Sequence, residues 1–345
     1  MADAASAERA MLRVCRSGLD ITELQRQVLS TLRTAITIDA AYFATADPES
    51  LLITGAVSED PLIAMAPLFL DNELTGRDVN GFNDLVRTPG HVRSLDTVTR
   101  SEWTASPRYR DIMRPNGLGD ELRAALVVGG HCWGYMCLHR LDGGLGFTDT
   151  DADLLRRLAP HIAHALRQAV LLHRTLQEVP LRPGVVLLDE AMELVATTPE
   201  ADELLPLIGH GSTRLPLPVS VYTVAGALGT SDLPPSVRVP ATTGGWLTLH
   251  ASRLVSASES RIAVVVEPAE PQSTLGVLLA AYGLTTRELD VARLVLRGDS
   301  TKAISNTLHI STHTVQDHLK SVFDKVGVRS RRDLVGHLLS GQGGP

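Results

Sequence analysis

The stretch that most constrains this chain is residues 283–339, where helix caps, turn residues and apolar spacing agree on one arrangement. Thr285 and Glu288 have the spacing of a capping box, in which each side chain satisfies a backbone N–H at the other position. The helix they open runs to Leu296, and Gly298 stands where a left-handed C-terminal cap belongs. Ser300 can cap a second, short helix over about Thr301–Leu308, followed by the tight turn His309-Ile310-Ser311. Thr312 begins a third helix that runs to Val326 and is ended by Gly327, and a fourth covers about Arg331–Leu339.

A short helix and a longer one across a three-residue turn have helix-turn-helix geometry. In the third helix Val315, Leu319, Val322 and Val326 fall on one stripe, which must pack on the first two helices. His313, Gln316, Asp317, Lys320 and Asp324 lie opposite. Taken alone, that polar face is what any surface helix shows. Anchored by its apolar side within a matched set of caps, it fits a major groove.

Charge is distributed accordingly. The chain carries a net charge of -7, which by itself argues against a nucleic-acid partner. Residues 282–345, however, hold nine basic against six acidic side chains and all three lysines, Lys302, Lys320 and Lys325. A basic end on an acidic body is the asymmetry of a chain in which one domain meets phosphate and the rest does not.

Residues 283–339 resemble the LuxR/NarL/FixJ class of helix-turn-helix domains. Leu284, Thr285, Arg287 and Glu288 match its Leu-Thr-x-Arg-Glu opening, and Gly298 and Ser300 its Gly-x-Ser. Lys302, Ile304 and Leu308 follow in register, then Ile310-Ser311-Thr312-His313-Thr314-Val315, His318, Leu319, Lys325, Gly327 and Val328. Ala303 departs from a usually acidic position, and Gln316 from the lysine that often follows Thr-Val. The resemblance implies a regulator bound to double-stranded DNA, with Gln316 and Lys320 at base edges and Lys302, Thr312 and Thr314 on phosphates. His313 and Asp317 share that surface; Asp317 either accepts from a cytosine amine or orients Lys320 or His313. His318 lies nearer the apolar side, where a structural role is expected. The fourth helix, with Leu334, Leu338 and Leu339, either forms a dimer contact, as is common in the family, or packs on its own domain.

Ahead of this tail, 1–19 reads as a flexible lead-in and 20–37 as an amphipathic helix. Strands follow at Ala41–Thr45 and Leu51–Val57, then an irregular segment over 71–120. Leu122–Val128 and Cys132–His139 form a hairpin about Gly129-Gly130, and a long helix runs from about Thr148 to Leu176. Residues 20–172 resemble a GAF domain through Glu121–Val128, Trp133-Gly134-Tyr135-Met136 and Phe147-Thr148-Asp149 with the leucine-rich helix beyond. After Pro180 and Pro183, residues 181–268 resemble a PAS domain more faintly. This part is expected to hold a strand at Gly184–Asp189, a helix at Glu200–Leu207, a strand at Pro218–Ala225, and a closing pair at Trp246–Leu254 and Ser260–Glu267. Pro268 and Pro271 mark the linker to the C-terminal domain at 275–340. The expected class is multidomain α+β: a GAF-like α/β sensor, a small PAS-like α+β domain and an all-α four-helix tail.

Both front-end types can enclose a ligand or serve only as dimerisation modules, so a small-molecule ligand is expected without being identified. Trp103 and Tyr109 either line such a site or anchor the core. The leucine stripe of the long helix, including Leu158 and Leu166, either pairs with a second copy or lies inside the sensor. His131, Cys132 and Cys137 sit on a strand beside a tight turn without four-ligand spacing, and His161 and His164 lack the glutamate of a zinc hydrolase motif, so no metal or other cofactor is expected. Nor is there a P-loop, a Gly-x-Ser-x-Gly elbow or a Rossmann fingerprint, and no enzyme is predicted. Three scattered cysteines, no secretory leader and apolar runs of only strand length indicate a cytoplasmic protein with no membrane span. Arginine far outnumbers lysine, a bacterial, GC-rich composition. The expected partners are DNA, a second copy of the chain and RNA polymerase. A sigma-like factor is the competing reading; it needs aromatic and basic helices upstream, and a front end with 4% aromatics chain-wide argues against it. A constitutive dimeric DNA-binding protein with no ligand is the other.

Overall fold

The computed structural model describes residues 4–172, 182–209, 215–229, 235–255 and 260–339. Five hydrophobic clusters organise them: three around the first sheet, one in the second module and one among the C-terminal helices.

The first module begins with α1 (Ala4–Cys15) and α2 (Ile21–Leu32). Strands β1 (Ala40–Ala46) and β2 (Ile53–Ser58) lead to α3 (Leu62–Thr75) and α4 (Phe82–Arg87). Edge strand β3 (Val92–Ser94), α5 (Leu95–Thr99), β4 (Leu118–Val128), β5 (His131–Leu141) and α6 (Asp149–Leu172) complete it. All pairings are antiparallel, in the order β2-β1-β5-β4-β3. Because side chains alternate along a strand, Leu122, Ala124, Leu126, Met136 and Leu138 face a layer formed by α1, α2 and α6. Ala125, Tyr135 and Cys137 face the other way, toward Phe82 and Leu85 of α4.

Two expectations are corrected here. The lead-in is a helix: α1 buries Ala7, Met11 and Cys15 against α2 and α6, an apolar spacing of four that marks a covered helical face. The segment 71–120 is not irregular throughout, but holds α4, β3, α5 and short 3-10 and π turns over 103–116. Elements of three to six residues are too brief to leave a periodic signal. The leucine stripe of α6 is interior: Leu155, Leu158, Ile162 and Leu166 are buried in the module's own core, which removes the surface needed for pairing two copies. Thr148 caps α6, its Oγ1 accepting from Asp151 N at 3.2 Å. The expected end of that helix, 173–176, lies outside the described residues, as does Pro180.

The second module comprises β6 (Gly184–Leu188), β7 (Leu194–Thr197), α7 (Pro199–Leu204), α8 (Val219–Gly226), β8 (Ser236–Pro240), β9 (Trp246–Val255) and β10 (Ser260–Pro268). Its sheet runs β7-β6-β10-β9-β8, again antiparallel. Counted from its own first strand, each of the two sheets has the order 2-1-5-4-3. The strand expected at Pro218–Ala225 is instead the helix α8. All eight of its residues are buried, so no polar face betrays its period, and a short, fully buried run reads alike as helix or strand.

The C-terminal part holds α9 (Pro271–Ala281), α10 (Thr286–Leu296), α11 (Thr301–Leu308), α12 (Thr312–Val326) and α13 (Arg331–Leu339). It is a five-helix array rather than four. Helix α9 joins two cores: Val277, Ala280 and Ala281 pack with α6, while Leu278 and Leu279 enter the core of α10–α13. Leu334 and Leu338 of α13 are buried in that same core, so the self-packing reading holds for both. Among the described residues, no helix is long and apolar enough to cross a membrane.

Gly134 shows how tightly the first sheet is built. A Cβ there would lie 2.4 Å from the carbonyl oxygen of Ala44 on the adjacent strand and 3.0 Å from Leu166 of α6. Gly134→Ala must therefore displace backbone, and is expected to cost about 1–3 kcal/mol or more in urea unfolding. An unchanged midpoint would show that the strand has room to shift.

Candidate nucleic-acid interface and buried cavity

The geometry of the C-terminal array starts at Glu288. Its backbone N–H donates to Thr285 Oγ1 (3.3 Å), and its carboxylate accepts from Thr285 N (2.6 Å), the capping box read from the sequence. The same carboxylate accepts from Ser321 Oγ (2.6 Å) and Lys325 Nζ (2.6 Å) on α12. Lys325 also reaches the carbonyl of Gly283 (3.3 Å). One carboxylate thus fixes both the start of α10 and the position of α12 across it. Burial opposes its ionisation, but the bonds from Lys325, Ser321 and Thr285 outweigh this and hold its pKa at about 2.

The turn between α11 and α12 is set by His309, which takes a left-handed conformation (φ 53°), and by Ser305, whose backbone and hydroxyl both bond Ile310. Ser300 caps α11 by accepting from Ala303 N (3.2 Å), and Ser311 caps α12 by accepting from Thr314 N (3.0 Å). Val315, Leu319, Val322 and Val326 are buried, as the spacing requires. Opposite them Thr312, His313, Gln316, Asp317, Lys320 and Asp324 are exposed. Lys302 is exposed on α11, while Thr314 is half-buried with its hydroxyl 2.9 Å from Ser311 Oγ. The structure therefore brings Thr312, His313, Gln316, Asp317 and Lys320 onto one solvent-facing surface, with Lys302 on the preceding helix. Asp317 Oδ2 lies 3.0 Å from His313 Nδ1 on this surface. His318 is half-buried.

A second site lies in the first module, on the sheet face away from α6. A cavity of about 60 Å³ is bounded by Tyr42, Phe82 and Phe69, by apolar residues of β2 and α3, and by Leu215 and Val219 of the second module. Trp103 and Tyr109 are not among its walls. They pack edge to face at 5.4 Å, and Trp103 Nε1 donates to Asp96 Oδ1 at 2.8 Å, so they anchor the core behind the cavity, in the same cluster as its wall residues Leu62 and Phe69.

At one end of the cavity is a charged cluster that sequence reasoning missed. Glu121 and Arg123 alternate with apolar residues on β4 and point into the same face as Cys137 and His139 on β5. Glu121 Oε2 accepts from Arg108 Nε (3.1 Å) and Nη2 (2.8 Å). Arg123 donates to Cys137 Sγ (3.1 Å), Asn80 O (2.7 Å) and Glu73 Oε2 (2.7 Å), with its guanidinium 3.8 Å over the Phe82 ring. Burial resists ionisation of Glu121, yet Arg108 and Arg123 hold its pKa at about 2. Burial pushes the Cys137 thiol up and pulls His139 down to about 4, so both are neutral near pH 7. The signal available in the sequence was a run of charges, Asp120, Glu121 and Arg123, inside an otherwise apolar strand. Such charges are buried only when paired.

Glu121, Cys137 and His139 offer ligand atoms within 4.8 Å of one another, a spacing open to a metal ion. Their chemistry does not fit one. Two guanidiniums already contact the carboxylate and the sulfur, and the thiol is held protonated, so a cation there would meet positive charge on two sides. Cys132 is buried and donates to Gly134 O, and His131 is half-buried at the hairpin.

Comparison with known proteins agrees with both halves. The family described as bacterial regulatory proteins, luxR family, matches residues 283–338, and the GAF domain family matches residues 20–166. The spore germination protein GerE of Bacillus subtilis is 39% identical over 56 residues, covering 16% of this chain and 76% of that protein. An HTH-type transcriptional regulator of Mycobacterium bovis is 50% identical over 52 residues, 15% of this chain and 6% of the regulator. The chain thus spans only a small fraction of that relative's length. Among solved structures, SdiA of Escherichia coli aligns over 98% of each chain with 11% identity and a TM-score of 0.37. The GAF domain/HD domain protein of Geobacter sulfurreducens aligns over 46% of this chain and 98% of its own, with 17% identity and a TM-score of 0.33. The tail is a helix-turn-helix domain behind a GAF domain. The chain belongs to the luxR family of bacterial regulatory proteins.

The Glu288 carboxylate predicts an acid sensitivity. A carboxyl held below its ordinary 4.5 stabilises the fold fully above that value, and the contribution fades as pH falls toward 2. Glu288→Gln is expected to cost about 1–3 kcal/mol at pH 7 and to flatten the loss of stability between pH 4.5 and 2. Urea unfolding of the full chain at several pH values measures both, and a parallel pH profile in the variant would remove Glu288 as the source.

Proposed function

We propose that the chain is a one-component transcription regulator that reads double-stranded DNA with α12, its front end adjusting that binding. The observation that carries the reading is the exposed face of α12, polar along its length while the opposite stripe is locked into the domain. A helix of this kind can enter a major groove about 12 Å wide without disturbing its own core. On this reading Gln316 and Lys320 meet base edges, with adenine and guanine as their preferred partners. Lys302, Thr312 and Thr314 hold phosphates, aided by the N-terminus of α12. His313 and Asp317, paired in the free protein, border the base-reading residues and limit how Asp317 faces phosphate.

The working species is a homodimer in the bacterial cytoplasm that acts with RNA polymerase. The GAF cavity is its sensory site for a small molecule. The second module, which repeats the 2-1-5-4-3 strand order of the first sheet, is a PAS-like domain that passes the signal on. No catalytic step is assigned to the chain.

Selection of bound sequences from random duplex DNA by the full-length protein tests the reading, with two related half-sites as the expected result. Failure of a folded sample to enrich any sequence would overturn it. On the selected site, Gln316→Ala or Lys320→Ala is expected to cost about 1–3 kcal/mol and to relax sequence preference. If neither changes the preference, the groove assignment is wrong. Lys302→Ala is expected to weaken binding to every sequence alike and to lower the salt slope by about one. Binding isotherms at four or five salt concentrations would show it.

A further inference from the structure

We propose that the cavity of the first module binds a small, uncharged, single-ring molecule that donates one hydrogen bond to His139, and that α8 of the second module closes over it. This rests on reading the front end as sensory, and adds the chemistry of what is sensed and the element that reports it.

The walls select shape. Tyr42, Phe69 and Phe82 present aromatic surface, Tyr42 and Phe82 being stacked at 6.4 Å between centroids. The Phe69 ring lies 5.7 Å from that of His139. About 60 Å³ is smaller than the roughly 150 Å³ interior cavity that takes up benzene, so a single ring enters only as α8 yields outward, and anything larger is excluded. Offset or edge contacts to such walls favour a flat ring.

The charged groups at the inner end exclude an ion. Arg123 is committed to Cys137, Asn80, Glu73 and the Phe82 face, and Glu73 accepts in turn from Arg123 and from Phe82 N (2.6 Å). A charged ligand would enter without a free counter-charge and would carry its full desolvation cost.

His139 supplies the specificity. It lines the cavity, is 1% exposed, and its Nδ1 has no hydrogen-bond partner among the described residues. Its Nε2 lies 3.8 Å from Glu121 Oε1. A neutral imidazole carries one proton, and the carboxylate favours it on Nε2, which leaves Nδ1 as an acceptor. A hydroxyl or N–H on the ligand completes the pair. A site with an unmet buried acceptor discriminates strongly against an analogue that lacks the donor.

The roof belongs to another module. Val219 and Leu215 line the cavity, and one turn beyond Val219, Thr223 Oγ1 donates to the carbonyl of Ile53 on β2 at 2.9 Å. The pocket of the first module is therefore finished by the helix that fills the core of the second. A ligand there sets the spacing of the two modules without touching the C-terminal helices.

The test is calorimetric titration of the full-length protein with phenol, toluene and benzoate. Phenol is expected to bind one per chain, toluene at least about tenfold more weakly, the loss of one hydrogen bond to a buried acceptor, and benzoate not measurably. His139→Phe should bring phenol and toluene within about twofold of each other, because it keeps the ring and removes the acceptor. Val219→Phe, checked for cooperative unfolding, should abolish binding of both by filling the cavity from the second module. Absence of saturable phenol binding to the folded protein, equal binding of phenol and toluene, binding of benzoate as tight as phenol, or discrimination that survives His139→Phe would each overturn the proposal. Unaltered phenol binding in Val219→Phe would overturn the α8 roof. Affinity for the selected DNA, measured with and without phenol, separates this from the broader reading. Phenol binding with unchanged DNA affinity leaves the site standing and sinks its sensory role. Loss of the DNA activity altogether sinks the regulator reading and leaves the phenol result intact.

Discussion

The arrangement of the three parts depends on one buried ion pair. Asp47, in the loop between β1 and β2, is fully buried and accepts from Arg238 of β8 through Nε (2.8 Å), Nη2 (3.0 Å) and the backbone N (3.0 Å). Two residues on, Glu49 takes a further bond from Arg238 and one from Arg293 of α10 (3.4 Å). Arg238 also donates to Ser273 O at the start of α9 (3.2 Å). Both front modules and the helix-turn-helix domain therefore meet at one loop. A bidentate guanidinium–carboxylate pair fixes direction as well as distance. Removing Arg238 would strand the buried Asp47 charge, at a cost usually of about 3–5 kcal/mol.

The joint also explains why α9 sits where it does. Gly276 lets α9 pass so close to the Glu49 carboxylate that a Cβ would fall on it. Helix α9 can then lay Val277 and Ala280 against α6 and Leu278 and Leu279 against α10–α13. The Glu49 loop thus contacts both α9 and α10 of the C-terminal part. The polar face of α12 lies exposed in this arrangement.

Two carboxylates show how the chain uses charge inside apolar surroundings. Glu288 and Glu121 both ionise against the cost of burial, because each is met by several donors. Glu288 organises a surface, and Glu121 sustains a neutral, shaped wall. The neutrality of Cys137 and His139 beside Glu121 follows from the same burial, which is why a cluster spaced for a metal is chemically a hydrogen-bonding end to an apolar cavity.

The C-terminal domain was legible in the sequence because its signals are local. Thr285 and Glu288, Ser300, Gly298, Gly327 and the Val315–Val326 stripe all act within a few residues of their partners. The hairpin around Gly129-Gly130 and the N-cap of α6 were legible for the same reason. What depends on distant contacts was not. Helix α8 is buried on all sides and shows no period, so only its packing between two modules decides that it is a helix. Trp103 and Tyr109 carry the residue types of a binding site, yet the chain path places Phe82, Phe69 and His139 at the cavity instead. The second role of Glu288, the union of Asp47 with Arg238, and the closing of one module's cavity by another's helix join residues up to about 190 positions apart. Local sequence determines which segments form helices and where they stop; tertiary structure alone decides which buried charges meet, because the cost of burying one is repaid only by a partner that the fold brings to it.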